Sequence, residues 1–247
     1  MIRPAVLLLV AIGLVAATAP ASAQSSVAEL LDASREATGR DPHRALELAE
    51  RALDLARDSD SPADVARALN RVGVVHYQLG RYERALALYL DSARWAEEAG
   101  EPETKANALN NIGILYYYWG NLDRALDYYR RTIDIRRRME DRRGLAGAWN
   151  NLGAVAHAAE RYEEALDYFD KSLALYDELG DADRVASSHN NIGLSLLELG
   201  RRRNALARFD QALEISLGTE ALAEQAVSQH NRALALSREG RPAEARR

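Results

Sequence analysis

The feature that most constrains the fold of this chain is an internal repeat with a period of 40 residues. A segment that reads L-N-N-I-G-I-L-Y-Y-Y-W-G begins at Leu109, and related segments begin at Leu69, Trp149 and His189. A second motif, Ala-Leu followed by an aromatic residue, keeps the same interval. Its aromatic residues are Tyr89, Tyr129, Phe169 and Phe209. A fixed repeat of this length predicts a solenoid, in which each unit packs against its neighbours, and not a globule around one core.

Composition limits the classes of function. The chain has 247 residues, of which 47% are hydrophobic and 28% are charged, so it can form a packed interior. The absence of cysteine excludes disulfides, a thiolate nucleophile and thiolate zinc sites. The net charge of -5 gives no reason to expect a polyanionic partner, and we expect no binding to nucleic acid.

Residues 1–23 have the features of a secretory signal peptide. Arg3 precedes an uncharged apolar run from Ala5 to Ala19, and Ala21-Ser22-Ala23 forms a small-x-small cleavage site. Because the run is shorter than the ~20 residues that a membrane-spanning helix needs, we expect cleavage and no membrane insertion afterwards. The sequence therefore predicts a bacterial protein that is periplasmic or secreted.

All periodic segments after residue 23 indicate helices, so the predicted fold class is all-α. Ser61 and Pro62 form a strong helix start, and Gly80, Gly120 and Gly200 mark helix ends. The predicted solenoid, residues 24–247, contains about five and a half units. Their bounds are 27–60, 61–100, 101–140, 141–180, 181–218 and 219–247. The last unit has little of a second helix, which predicts that the natural chain is longer or that this end self-associates.

Two motifs resemble those of the tetratricopeptide repeat family. Trp149-x2-Leu152-Gly153 and Ala165-x3-Phe169 match the signatures W-x2-L-G and A-x3-F. The long period is similar to that of the long-repeat branch of the family, which includes bacterial peptide-sensing regulators and kinesin light chains. The resemblance implies stacked helix pairs in a right-handed superhelix, an α-solenoid whose first helices line a concave groove. It also implies a non-catalytic scaffold that binds a peptide or protein segment there.

A helical projection at 100° per residue separates the two faces of the first helices. It places Ile112, Gly113, Tyr116 and Trp119 on an apolar, inward face. Glycine is costly inside a helix, yet it recurs in every regular copy. Its equivalents are Gly73, Gly153 and Gly193. We therefore expect a neighbouring backbone to approach the helix at each glycine.

Repeated asparagines occupy the opposite face of the first helices. Asparagine is a poor helix former, and each side-chain amide offers donors and an acceptor for the backbone of an extended segment. The family resemblance implies that Asn111, Asn151, Asn191 and Asn231 are groove ligands. The alternative is that one asparagine of each doublet bonds to the adjoining helix and holds the repeats together. The doublets are Asn110-Asn111, Asn150-Asn151 and Asn190-Asn191.

Three tyrosines, Tyr77, Tyr117 and Tyr118, are predicted to face the groove beside the amides. Aromatic anchors commonly dominate binding energy, although these rings would alternatively pack between repeats. The predicted peptide-binding residues are Asn70, Arg71, Tyr77, Asn110, Asn111, Tyr117, Tyr118, Asn150, Asn151, Asn190, Asn191 and Asn231.

Other chemistry has little support in the sequence. The five histidines are dispersed without a zinc-binding spacing, so we expect no metal site and no cofactor. The run Arg136-Arg137-Arg138 lies near a turn among acidic residues, which is typical of a solvated helix end. No catalytic triad, phosphate loop or nucleotide fingerprint is present, and we predict no enzymatic activity.

Two classes of function remain open at this stage. The first is a protein-binding or peptide-binding scaffold. The alternative is the N-terminal sensory or scaffold portion of a longer signalling protein or peptidase, with a kinase, cyclase or caspase-like domain beyond residue 247. Side-chain amides recognise peptide backbone and have little preference for sequence, so the identity of the partner is not predicted.

Overall fold

The computed structural model describes residues 26–219 and 221–238, and these residues form eleven α-helices and no strand. The first helix is short, and each of the next ten has 17 residues. In chain order they are α1 Val27–Ala37, α2 Pro42–Asp58, α3 Pro62–Gln78, α4 Tyr82–Glu98, α5 Pro102–Tyr118, α6 Leu122–Arg138, α7 Arg142–Ala158, α8 Tyr162–Glu178, α9 Ala182–Glu198, α10 Arg202–Gly218 and α11 Leu222–Arg238. The predicted all-α class is confirmed.

A 17-residue helix and a three-residue connection together explain the period, since two such steps make 40 residues. The middle residue of the connection has a left-handed backbone, with φ of 72° at both Gly80 and Gly120. The next amide then closes the helix end, as when Arg81 N–H donates to the carbonyl oxygen of His76 at 2.9 Å. Glycine adopts this conformation without strain, which is why the predicted helix ends coincide with these turns.

The recurring glycine of each first helix packs against an aromatic ring of the second helix. A β-carbon at Gly113 would lie 2.7 Å from Cε1 of Tyr129, and one at Gly153 would lie 2.6 Å from Cδ1 of Phe169. The other two pairs are Gly73 with Tyr89 and Gly193 with Phe209. The predicted approach of a backbone was therefore wrong. The two helices of a repeat meet through a buried ring, and the two sequence motifs are the two halves of this contact.

The helices pack in chain order, and the first helices of successive repeats also contact one another. These first helices are α1, α3, α5, α7, α9 and α11. The second helices make no such contacts among the described residues. The first helices therefore lie on the inner side of a curved solenoid and the second helices on the outer side, as predicted.

Several predictions lie outside the described residues. The signal peptide falls on residues 1–23, and the second half of the last unit falls on residues 239–247. The periplasmic or secreted location, which depends on the first of these, stays a prediction. In the part of the chain that the structure describes, no helix has both the length and the apolar character needed to cross a bilayer.

Candidate functional site

The asparagines of the first helices form a series of side-chain hydrogen bonds from repeat to repeat, which we call the amide row. Nδ2 of Asn111 donates to Oδ1 of Asn70 at 3.1 Å, and Nδ2 of Asn151 donates to Oδ1 of Asn110 at 2.9 Å. The two further bonds, of 2.9 and 3.5 Å, run from Asn191 to Asn150 and from Asn231 to Asn190. In every bond the donor is the asparagine at the repeat position of Asn111, and the acceptor is the asparagine at the position of Asn110 in the preceding repeat.

Each of these bonds uses one polar atom of each asparagine side chain and does not use the other polar atom. In Asn110 the oxygen is engaged and Nδ2 remains, whereas in Asn111 the nitrogen is engaged and Oδ1 remains. Both residues are half-buried, and both of these atoms are without a hydrogen-bond partner among the described residues. The inter-repeat bond proposed as the alternative role is therefore present, and the assignment of the remaining atoms as groove ligands stays a prediction.

At the C-terminal end of the amide row, the asparagines are buried. Asn190 is 3% exposed and Asn231 is 6% exposed. Nδ2 of Asn190 donates to Oε1 of Glu224 at 2.7 Å and to Oγ of Ser228 at 2.9 Å. The accessible amides therefore lie on α3, α5, α7 and α9, where they are half-buried. They are Asn70, Asn110, Asn111, Asn150, Asn151 and Asn191.

Arg71, which the sequence placed in the groove, contacts the first repeat. Its Nε donates to Oγ of Ser34 at 2.8 Å, and its Nη2 donates to the carbonyl oxygen of Ser34 at 2.6 Å and to Oγ1 of Thr38. Burial lowers the pKa of the Arg71 guanidinium. Since α1 contains no asparagine, this arginine replaces the amide link and joins α3 to α1. Its role as a ligand stays a prediction.

A cavity of about 340 Å³ opens beside the amide row, at the N-terminal halves of α5, α7 and α9. The second helices α6 and α8 contribute Thr132, Arg136 and Tyr176, while Gly144 and Gly147 line it from α7. The remaining lining residues are Asn107, Asn110, Ala148, Asn150, Asn151 and Arg184. Amides and charged groups therefore converge in one concave part of the inner face.

Arg136 is buried at the edge of this cavity. It is 7% exposed, so its interpretation as part of a solvated helix end was wrong. Its Nη1 donates to Oδ2 of Asp141 at 2.6 Å, and its Nη2 donates to Oδ1 of Asn107. Its Nε is buried without a hydrogen-bond partner among the described residues. Gly144 makes room for the guanidinium, because a β-carbon there would lie 2.6 Å from Nε.

Sequence reasoning missed this arginine because a run of three similar side chains does not reveal which one is buried. The available signal was in α7. Gly144 and Gly147 occur at positions where no other repeat has a glycine. Two helix-destabilising residues in one helix indicate that something occupies the space beside it.

Two of the three predicted tyrosines come together at the other end of the first helices. The rings of Tyr77 and Tyr118 both contact Tyr82, with centroid distances of 5.5 and 4.7 Å. Tyr118 is 60% exposed and Tyr117 is 40% exposed. Trp119, predicted to face inward, is 38% exposed. That prediction was wrong because α5 ends at Tyr118, and a helical projection does not apply beyond the helix end.

The paired helices and the amide row define a repeat scaffold. The tetratricopeptide repeat family model matches residues 64–138 and 144–218, which is more than half of the chain. This chain therefore belongs to the tetratricopeptide repeat family. Among curated proteins, no sequence is similar enough to this one to be matched.

Solved structures have the same fold at low sequence identity. BtubC (BKLC) from P. vanneervenii is 19% identical with a TM-score of 0.69, over 90% of this chain and 88% of that one. A putative kinesin light chain from Podosopora anserina is 12% identical with a TM-score of 0.65, over 79% and 96% of the two chains. A Rap protein complexed with competence and sporulation factor is 12% identical with a TM-score of 0.68, over 89% and 71%. These likenesses show the fold.

Proposed function

We propose that this protein binds an extended polypeptide segment along the amide row. One observation carries the proposal. The inter-repeat bonds engage one polar atom of each asparagine and leave an amide N–H₂ in Asn110 beside an amide oxygen in Asn111. A peptide backbone presents carbonyl oxygens and N–H groups, which are complementary to this pair.

The bonds of the amide row also support the proposal energetically. Each amide is held in one orientation by its neighbour in the adjoining repeat. A ligand therefore meets side chains whose rotamers are already restricted, and the entropy lost on binding is smaller. The Rap protein of similar fold was solved in complex with a competence and sporulation factor, which supports a binding role for such a scaffold.

The exposed tyrosines supply apolar surface on the same helix as Asn110 and Asn111. Tyr118 is seven residues, or about two helical turns, after Asn111 on α5. Its contact with Tyr82 leaves more than half of the residue exposed. In the proposed complex, Tyr118 packs against an apolar side chain of the segment while the amides bond to the backbone.

The proposal is tested by removing the free donors without breaking the amide row. The double variant Asn110→Asp, Asn150→Asp keeps the oxygen that accepts from Asn151 and Asn191 but replaces each free N–H₂ by an acceptor. The probe is a pool of random nonapeptides, acetylated and amidated at the ends and synthesised without Asp or Glu. We expect binding to weaken by about tenfold in fluorescence polarisation, because two backbone hydrogen bonds are lost.

The matched control is the double variant Asn121→Asp, Asn204→Asp. It makes the same change of charge outside the inner face, since Asn121 caps α6 and Asn204 is exposed on α10. We expect its binding and its stability to equal those of the wild type. Equal binding by both double variants would contradict a role for the amide donors. Failure of the wild type to bind the pool would contradict the proposed function itself.

Export and self-association belong to the same proposal. Export predicts that the protein is recovered from the periplasm or the culture medium after cleavage near residue 23, which N-terminal sequencing would check. Self-association through the last unit predicts that the mass measured by sedimentation rises with concentration. A mass that stays at the monomer value would contradict it.

A further inference from the structure

The cavity beside the amide row is rich in hydrogen-bond donors. The oxygens of Asn107, Asn110 and Asn150 accept from Arg136, Asn151 and Asn191, respectively. Each of these three amides therefore has its N–H₂ group left for a ligand. Of the lining amides, only Asn151 has its oxygen left, because its nitrogen is the donor in the amide row. Donors thus outnumber acceptors at this place.

Two arginines add positive charge to the same cavity. Arg136 is compensated by Asp141 through a 2.6 Å ion pair, but its buried Nε lacks a partner among the described residues. Arg184 is exposed, and its side chain forms no ion pair within residues 26–219 and 221–238. The hydroxyl of Tyr176 lies at the same place, against Gly147. An excess of donors, together with an arginine side chain that has no ion-pair partner among the described residues, favours an anionic ligand group.

The amide row continues on both sides of this cavity. The Asn111–Asn70 bond lies toward the N-terminal end of the solenoid, and the Asn191–Asn150 bond lies toward the C-terminal end. An extended segment bound along the row would therefore pass the cavity and not terminate in it. The anionic group that it offers at this point is a side chain and not a chain terminus.

We propose that this cavity is a specificity pocket, in which Arg184 and the amide groups of Asn107, Asn110 and Asn150 bind the carboxylate of an acidic side chain of the segment. This inference rests on the proposed function and adds a preference for Asp or Glu at one position. Glycine at position 147 keeps the pocket open. A β-carbon there would lie 3.4 Å from the Tyr176 hydroxyl, an ordinary contact that fills space without displacing other atoms.

The test uses three pools of blocked nonapeptides with Glu, Gln or Lys fixed at the central position and no Asp or Glu elsewhere. Because charge-assisted hydrogen bonds are stronger than neutral ones, we expect the wild type to bind the Glu pool about tenfold more tightly than the Gln pool. We expect Arg184→Gln and Gly147→Ala each to reduce this ratio to near one. Arg137→Gln is the matched control, because Arg137 is an exposed arginine of α6 outside the cavity, and it should keep the wild-type ratio.

The outcomes separate the pocket from the proposed function. Equal binding of the Glu and Gln pools would overturn the pocket and leave the peptide-binding proposal intact. A Gln pool with a free C-terminal carboxylate that binds more tightly than the blocked Glu pool would overturn the assignment to a side chain. If no pool binds, both proposals are wrong. If Arg137→Gln also lost the preference for the Glu pool, the role of the cavity would be overturned, because the net charge of the protein would then explain the preference.

Discussion

The contact between a glycine and an aromatic ring is the main residue-scale determinant of each repeat, and one methyl group tests it. In the variant Gly153→Ala, the new β-carbon would lie 2.6 Å from two atoms of the Phe169 ring. Alanine is about 1 kcal/mol better than glycine in a helix, but overpacking costs about 1–3 kcal/mol. We expect a net decrease in the free energy of unfolding, measured by urea denaturation.

Gly147→Ala is the control on the same helix. Its β-carbon would meet only the Tyr176 hydroxyl, at 3.4 Å, so helix propensity dominates and stability should stay equal or rise. If Gly147→Ala and Gly153→Ala lowered the stability equally, the contact with the ring would not explain why the glycine motif and the aromatic motif keep a constant spacing in this chain.

Three histidines, of which His76 and His189 are buried and His157 is half-buried, make the stability depend on pH. Burial lowers the pKa of His76, His157 and His189 below the ordinary value of 6.5. As the pH falls below about 6.5, the unfolded chain takes up protons that these folded histidines do not, so the free energy of unfolding decreases. At higher pH these histidines are neutral in both the folded and the unfolded chain, so they do not make the free energy of unfolding depend on pH. We expect urea denaturation to show this decrease between about pH 6.5 and 5.

His76→Leu identifies one contributor to the pH dependence. His76 is 7% exposed, and its Nδ1 is buried without a hydrogen-bond partner among the described residues. The substitution removes a group that must stay neutral in the folded state. The decrease in stability at acidic pH should therefore be smaller in the variant, and an unchanged pH profile would contradict the argument for this residue.

Residue-scale detail was the part of the site that the sequence predicted least well. The spacing of Asn110 and Asn111 predicted the face on which they lie. It did not predict which polar atom each amide engages, because that depends on the distance between adjacent first helices. The burial of Arg136 depends on Gly144 of the next helix, a tertiary contact that helical projection of one segment does not contain.

At the scale of helices, the sequence predicted nearly everything. The predicted helix start at Ser61 and Pro62 agrees with the start of α3 at Pro62, and the predicted helix ends at Gly80, Gly120 and Gly200 lie two residues beyond the ends of α3, α5 and α9. This accuracy has a physical reason. Each helix and the turn after it together take 20 residues, and most turns have a glycine that marks the helix end.

The turns without glycine offer a prediction at this scale. Glu160 has a φ of 59°, a left-handed conformation that costs a non-glycine residue roughly 1–2 kcal/mol. We expect Glu160→Gly to raise the free energy of unfolding by about 0.5–1 kcal/mol, after the entropic cost of glycine in the unfolded chain.

Gly120→Ala is the reverse experiment. Gly120 has a φ of 72°, and no atom lies within 4 Å of the place that a β-carbon would take, so only the backbone conformation changes in energy. The free energy of unfolding should fall by about 1 kcal/mol. Thermal or urea denaturation of both variants measures the pair, and effects of the same sign would contradict the explanation from backbone conformation.

At the scale of the whole molecule, the solenoid is a linear series of interfaces. Its stability is approximately the sum of the repeat stabilities and the terms between neighbours. Among the described residues the central helices have neighbours on both sides, whereas α11 packs only against α9 and α10, and Asn190 of α9 links to it through Glu224, Ser228 and Asn231. We therefore expect backbone amide exchange in the described residues to be slowest in the central helices and faster in α11.

Breaking the amide row in the middle should affect more of the molecule than breaking it at the end. Asn151→Ala removes the donor of the 2.9 Å bond between α7 and α5, whereas Asn231→Ala removes that of the 3.5 Å bond between α11 and α9. One hydrogen bond contributes about 1 kcal/mol, or roughly fivefold in an opening equilibrium. Hydrogen exchange with mass spectrometry should therefore show about fivefold faster exchange across α5 and α7 in Asn151→Ala. In Asn231→Ala the increase in exchange should be smaller and confined to α11, since Glu224 and Ser228 of that helix still bind Asn190. If Asn151→Ala changes exchange only within its own helical turn, the amide row does not couple the repeats, and its asparagines are present for the ligand alone.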